Sequence, residues 1–124
     1  MDALTEGAQI VNIDTVDPIP LPGGSWSSMI LTSATVPVIG SALGYSVFRP
    51  GSVTGFVSHL VEEVAYVVEG SGELRQDTGA VPFHQGDALW VPAHTWHAVA
   101  NTGETDVVMV FMFPHPAYPP TGRR

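Results

Sequence analysis

With 124 residues, 44% of them hydrophobic and 13% charged, the chain is expected to form one soluble globular domain, and no apolar run approaches the ~18 residues of a membrane helix. Cysteine and lysine are absent, which excludes disulfides, thiolate metal sites and Schiff-base chemistry and leaves histidine and carboxylate as ligands for any transition metal. The net charge of −8 argues against nucleic acid and acidic membrane surfaces as partners.

The N-terminal region is the least regular part of the sequence. It opens with MDALTEGAQI, which has neither the basic region nor the apolar core of a secretory signal, so the default prediction is a cytoplasmic protein. Prolines at 18, 20 and 22 then forbid a central strand. We predict that residues 1–24 form an arm or strand that wraps the main domain or exchanges with a neighbouring chain.

Residues 25–113 are predicted to form the main domain, which is all-β. Thirteen glycines and eleven prolines interrupt the sequence every few residues, and no 3.6-residue apolar period is evident. Strands are expected over residues 26–31, 44–48, 56–61, 63–69, 72–76, 88–91, 96–101 and 106–113. Short strands at this spacing are typical of a sandwich or barrel. The remaining residues, 114–124, form a proline-rich tail that is expected to lie extended on the surface.

The stretch GSVTGFVSHLVEEVAYVVEGSG, residues 51–72, places His59 and Glu63 on two consecutive strands. Alternate residues of a strand share a face, so Glu63 shares its face with Ala65 and Val67, whereas Glu62 shares the opposite face with Val64, Tyr66 and Val68, which resembles a packing face. If His59 and Glu63 both point inward, an imidazole and a carboxylate meet inside the domain. Buried charge is costly without a partner, which favours a bound cation.

The stretch QGDALWVPAHTWHAVAN, residues 85–101, supplies a second histidine candidate. His97 begins a predicted strand whose other positions are apolar, which makes it a candidate inward ligand. His94 lies in the preceding turn.

Together these two stretches resemble the two sequence motifs of the cupin superfamily, small β-barrels that commonly bind a divalent metal. The motif residues stand at the family spacings: Gly51, His59, Glu63 and Gly70 in the first stretch, and Gly86, Pro92, His97 and Asn101 in the second. The resemblance implies a single cupin-type β-barrel, a double-stranded β-helix or jelly roll.

The resemblance also implies a metal site, with two departures from the family pattern. Val57 replaces the first family histidine, which reduces the ligand set to His59, Glu63 and His97. Two histidines and one carboxylate are the facial triad of non-haem iron, so Fe(II) is the preferred metal, with Mn(II), Ni(II) and Zn(II) as alternatives. His94 stands where the family has glycine; it is a replacement ligand, an acid or base at the barrel mouth, or a solvent-facing residue.

Three functions are compatible with such a site. The preferred one is an Fe(II)-dependent dioxygenase acting on a small apolar or aromatic substrate. The alternatives are a non-redox lyase, isomerase or cyclase in which Glu63, His94 or Tyr66 moves a proton, and a non-catalytic ligand-binding barrel. Glu63 and His94 are therefore the predicted catalytic residues. The family and the need to cover open strand edges further predict a homodimer.

Overall fold

The computed structural model describes residues 7–124, and this part of the chain is nearly all β. The strands are β1 Ile19–Pro20, β2 Trp26–Leu31, β3 Ala42–Phe48, β4 Val57–His59, β5 Glu63–Glu69, β6 Ser71–Gln76, β7 Gly79–His84, β8 Ala88–Val91, β9 His97–Ala100, β10 Val107–Phe113 and β11 Thr121–Arg123. Two 3-10 turns, Ile13–Thr15 and Pro22–Gly24, are the helical elements of these residues. None of the helices described is long and apolar enough to cross a membrane.

Two antiparallel sheets form the jelly roll, which confirms the predicted fold class. One has the strand order β1-β2-β3-β10-β5-β8 and the other β11-β4-β9-β6-β7. The apolar side chains of both sheets meet between them, with a buried cluster of Phe48, Val67, Phe83, Val107 and Met109. The β-branched and aromatic residues of these strands suit a pleated surface that is buried on one face.

Each of the eight predicted strands is present, with bounds that shift by at most two residues. Three strands escaped prediction: β1, β7 and β11. Strand β7 contains Pro82, which argues against a central strand; it lies at the edge of its sheet, where a missing backbone N–H is tolerated. Strand β1 is likewise an edge strand, as the prolines around it require.

The tail does not simply lie on the surface. Its last strand, β11, pairs antiparallel with β4, so that Thr121 lies opposite His59 and Arg123 opposite Val57. This pairing covers the edge of β4 and brings the tail beside His59.

The outer face of β5 was wrongly interpreted as a packing face. Val64, Tyr66 and Val68 are exposed, because no second layer from the part of the chain that the structure describes covers this side of the first sheet. Val64 lies opposite Trp90 of β8 and Met112 of β10, so these side chains form a continuous apolar row across three strands. Trp90 is 63% exposed.

The motif glycine and asparagine residues have structural roles. Gly70 adopts a φ of +86°, and a Cβ there would lie 2.4 Å from the Asp106 carbonyl oxygen, so only glycine fits this turn. The buried Asn101 amide donates to the carbonyls of Phe48 and Thr105 and accepts from the Gly103 N–H. These contacts hold the loop between β9 and β10 in place.

Candidate metal centre

The structure brings the three predicted ligands together inside the barrel. His59 is the last residue of β4, Glu63 the first of β5 and His97 the first of β9. The Nε2 atoms of both histidines lie 3.4 Å from Glu63 Oε1. The three side chains are 4%, 18% and 6% exposed, respectively. Each of these side chains offers one ligand atom, and within residues 7–124 the three ligand atoms all lie within 4.8 Å of one another.

Hydrogen bonds fix the tautomers of both histidines. The Thr121 hydroxyl donates its single hydrogen to the Pro119 carbonyl, at 2.8 Å, so it accepts from His59 Nδ1, also at 2.8 Å. His97 Nδ1 lies 2.8 Å from the Thr95 carbonyl, which can only accept. Both histidines therefore carry a hydrogen on Nδ1, which leaves Nε2 as the atom that faces Glu63 and can bind a metal.

The donor set and its spacing fit a divalent transition metal. Two ligands about 2.1 Å from a tetrahedral metal lie roughly 3.4 Å apart, and octahedral neighbours lie roughly 3.0 Å apart. The distances of 3.4 Å from Glu63 to each imidazole are compatible with a shared ion. Three protein ligands leave further coordination positions for water or substrate, which is typical of catalytic rather than structural sites.

The charges of the three residues support one another. Burial raises the pKa of Glu63, but hydrogen bonds to and charge on His59 and His97 outweigh this and hold it below its ordinary value. Burial lowers the pKa of His97, but its bonds to Glu63 and the Thr95 carbonyl and the Glu63 charge outweigh this and raise it above its ordinary value. Glu63 is therefore ionised at neutral pH and available as a ligand.

His94 is not brought to this centre. Its side chain is exposed, and its backbone has a φ of +65°, the left-handed conformation that glycine adopts readily. The turn directs the side chain to solvent, so the structure does not support the ligand or acid–base role considered for it. Its backbone N–H contributes instead, donating to the His59 carbonyl at 2.8 Å.

Tyr66, also considered as a proton carrier, and the neighbouring acid Glu62 lie outside the site as well. Tyr66 is on the exposed outer face of β5, and Glu62 there accepts a hydrogen bond from the Trp90 indole at 3.4 Å. His84 pairs with Asp87 at the surface, and His115 contacts the Ala117 carbonyl in the tail.

The metal centre forms part of the wall of a cavity of about 570 Å³, within the size range of small-molecule sites. Bulky apolar side chains line this cavity, among them Met29, Phe48, Phe56, Met109 and Phe111. The aromatic residues Trp26, Tyr66, Trp90 and Trp96 are not among its lining residues. The cavity is mainly apolar. Its polar lining residues are the three candidate ligands, Tyr118, Arg123 and Arg124 of the tail, and Ser27, Ser46 and Thr54.

The tail supplies site residues that sequence reasoning missed. Tyr118 lines the cavity, and its ring lies edge-on to His59 and Phe113, with centroids 5.6 and 5.5 Å away. Arg123 lines the cavity from β11. Burial and the Glu63 charge raise the pKa of the Tyr118 phenol, against the opposing charge of Arg123. No local motif marks these residues, because the pairing of β11 with β4 is long-range.

Comparison with known proteins places this geometry in context. The model of the cupin domain family matches residues 44–113. Over 104 residues the chain is 29% identical to the polyketide synthase CurC of Streptomyces cyaneus, covering 83% of this chain and 67% of that protein. It is 31% identical over 105 residues to the protein SchB of Streptomyces halstedii, covering 84% of this chain and 75% of that protein.

Solved structures share the fold at low sequence identity. The polyketide cyclase RemF from Streptomyces resistomycificus has a TM-score of 0.78 and 18% identity, with 94% of this chain and 85% of that chain covered. The oxalate decarboxylase of Lactobacillus farciminis has a TM-score of 0.78 and 19% identity over 89% of this chain. The chain spans only about a third of that enzyme, with 34% covered.

Proposed function

The chain belongs to the cupin family, and on this basis we propose that it is a metal-dependent enzyme that catalyses a non-redox ring closure of a polyketide-like substrate. The observation that carries the proposal is the convergence of His59, Glu63 and His97 on the wall of a large apolar cavity. The sequence similarity to the polyketide synthase CurC and the fold shared with the polyketide cyclase RemF support this substrate class and reaction.

The ligand residues would hold one divalent transition metal. The two imidazole Nε2 atoms and the Glu63 carboxylate are borderline-to-hard donors that suit Zn(II), Mn(II) or Fe(II). A metal bound there would supply Lewis-acid polarisation of a carbonyl oxygen, which would acidify the adjacent C–H. In the ring-closing addition that C–H bond and the π bond of a second carbonyl break, a carbon–carbon bond forms, and the proton ends on the new hydroxyl oxygen.

The chain's own residues perform the remaining tasks. Apolar side chains such as Phe56, Phe111 and Met109 bury the body of the substrate and exclude water from it. The Tyr118 hydroxyl keeps its proton at neutral pH, because its pKa is raised, and it donates a hydrogen bond to a substrate oxygen. Glu63 serves as a ligand, and neither His94 nor Tyr66 takes part, because both lie outside the cavity.

The Fe(II)-dependent dioxygenase is the second candidate function. It is favoured by the donor set itself, since two histidines and one carboxylate with open positions are the arrangement of many non-haem iron oxygenases. Because Val57 stands where the cupin motif has a histidine, the site has three protein ligands instead of four, which makes it more similar to the sites of those oxygenases.

Metal-exchanged protein distinguishes these functions. We expect Zn(II)- or Mn(II)-loaded protein to convert a synthetic aromatic poly-β-ketone to a ring-closed product in anaerobic buffer, measured by liquid chromatography and mass spectrometry. The His97→Ala variant should be inactive, and the Glu62→Ala variant, altered on the outer face, should retain activity. Turnover that requires both Fe(II) and oxygen would instead establish the dioxygenase. Ligand binding without turnover under any of these conditions would indicate a non-catalytic cupin.

We also propose that two copies of the chain associate through the outer face of the first sheet. The row formed by Met112, Val64 and Trp90 continues into Tyr66 on the next row, and contiguous exposed apolar side chains of this kind are typical of interfaces. A second copy suits this face because the face is predominantly uncharged, whereas the chain as a whole carries a charge of −8 that repels close approach elsewhere.

A further inference from the structure

The four arginines of the chain differ in how their charges are compensated. Three form ion pairs with carboxylates: Arg49 with Asp106, Arg75 with Glu73 and Arg124 with Asp77. Arg123 is the fourth: it is exposed, its side chain is hydrogen-bonded to the neutral Tyr118 hydroxyl, and no carboxylate of residues 7–124 forms an ion pair with it. Solvent rather than a carboxylate of these residues therefore stabilises the Arg123 charge, which leaves the guanidinium available to an anionic ligand.

Strand register shows where Arg123 points. It lies opposite Val57 on β4, and Val57 lies opposite His97 on β9, so the three residues form one row across three strands. Side chains directly opposite one another in antiparallel strands share a face. Because His97 belongs to the metal centre inside the barrel, this row faces the cavity, and Arg123 is indeed among its lining residues.

The adjacent row shows that β11 is built into the site. Thr121, two residues before Arg123, lies opposite His59 and accepts its Nδ1 hydrogen. Gly122 faces the other way, where a Cβ would lie 3.2 Å from the Trp96 ring. The backbone of β11 is therefore held on both faces, and the position of Arg123 follows from it.

We propose that Arg123 is a substrate-binding residue that holds a carboxylate group of an otherwise apolar, aromatic ligand beside the metal centre. A guanidinium presents two parallel N–H donors that match the two oxygens of a carboxylate. Val57 stands between Arg123 and His97 and has no polar atom, so it neither competes for the anion nor fills the space that a histidine would occupy.

The charge of the whole chain explains why such a residue is needed. A net charge of −8 disfavours the approach of an anion, so an anionic ligand requires a local positive charge at the cavity. Arg124 is less suited to the role, because Asp77 compensates its charge and its guanidinium stacks on Phe56 and Trp96, 5.1 and 4.7 Å from the ring centroids. This inference rests on the proposed function only in taking the cavity as the substrate site, and it narrows the substrate class to aromatic acids.

A matched pair of probes tests the inference independently of turnover. 2-Naphthoate and 2-naphthamide share the same ring system and differ in charge, and their affinities can be measured by isothermal titration calorimetry. The titrations use the Zn(II)-loaded protein and are repeated after chelator treatment, so that binding of the carboxylate to the metal is separated from binding to the arginine. The variants are Arg123→Gln, Arg123→Lys and, as a matched control, Arg49→Gln on the surface.

We expect the full chain to bind 2-naphthoate about tenfold or more tightly than 2-naphthamide in both metal states. Arg123→Gln should abolish this preference and leave the affinity for the amide unchanged, Arg123→Lys should retain part of it, and Arg49→Gln should retain all of it. Circular dichroism establishes that each variant is folded. A preference that survives in Arg123→Gln, an equal loss in Arg49→Gln, or no binding of 2-naphthoate would each overturn the inference. Failure of the proposed function would look different: the carboxylate preference would persist while no substrate is converted.

Discussion

Replacing Thr121 by valine should weaken metal binding while leaving the fold nearly unchanged. Valine has almost the same shape as threonine but cannot accept the hydrogen of His59 Nδ1, now bonded at 2.8 Å. The His59 ring is only 4% exposed, so water does not readily replace the lost acceptor. In the metal-bound protein Nδ1–H then stays buried without a partner, which costs about 1–3 kcal/mol.

The metal-free protein has an alternative that the metal-bound protein lacks. Its His59 can move the hydrogen to Nε2, where Glu63 Oε1 at 3.4 Å accepts it, so the free energy of unfolding should change by less than about 1 kcal/mol. That tautomer removes the lone pair needed by the metal. The metal affinity should therefore fall by roughly 10- to 100-fold, as is usual when the hydrogen-bond partner of a ligating histidine is lost.

The assay is a competition titration of Zn(II) against a chromophoric chelator, with urea unfolding of the metal-free protein measured alongside. Thr95→Val is the matched control, because His97 Nδ1 bonds to the backbone carbonyl of Thr95 and not to its side chain. An unchanged affinity in Thr121→Val, or an equal loss in Thr95→Val, would refute the reasoning.

Three further predictions concern the ligands, the pH dependence and the assembly. Elemental analysis should find about one transition metal per chain in the wild type and in Glu62→Ala but much less in Glu63→Ala; equal effects of the two substitutions would show that the carboxylate was wrongly chosen. The raised pKa of His97 gives the metal-free protein extra stability, which is fully present below about pH 6.5 and is lost as the pH rises through the pKa of His97 in the folded state. The urea midpoint of the metal-free protein should therefore fall over that pH range. A His97→Gln variant should lack this decrease. Light scattering should report a dimer, and Trp90→Glu should convert it to a monomer. Val53→Glu, at an exposed apolar position that bridges to Ala100 of the other sheet, should leave the dimer intact, and a monomeric wild type would contradict the proposed interface.

Much of the site follows from local patterns in two stretches of sequence. His59 and Glu63 lie on consecutive strands around a short turn, and His97 begins a strand after another turn, so alternation within each strand is enough to suggest which side chains share a face. Alternation does not reveal which of the two faces is inside. This is why the face of Val64 and Tyr66 was assigned to the packed interior although it lies outside.

His94 shows a second limit of the sequence. Its spacing before His97 was compatible with a ligand, a proton carrier or a surface residue. The direction of its side chain depends on the left-handed backbone conformation of the turn, which in turn depends on the hydrogen bond from its N–H to the His59 carbonyl. A contact between residues 35 positions apart leaves no local sequence signal.

The sequence by itself determined the all-β class, the strands around the two motifs and the candidate metal ligands, because composition, side-chain alternation and turn chemistry act over a few residues. Only the tertiary structure decided which sheet faces are buried and that the tail returns to the barrel. The pairing of β11 with β4 joins residues more than sixty positions apart, and it alone places Thr121 behind His59 and Arg123 in the cavity. Such long-range pairing depends on which strand edge remains open after the rest of the chain has folded, and no local pattern encodes it.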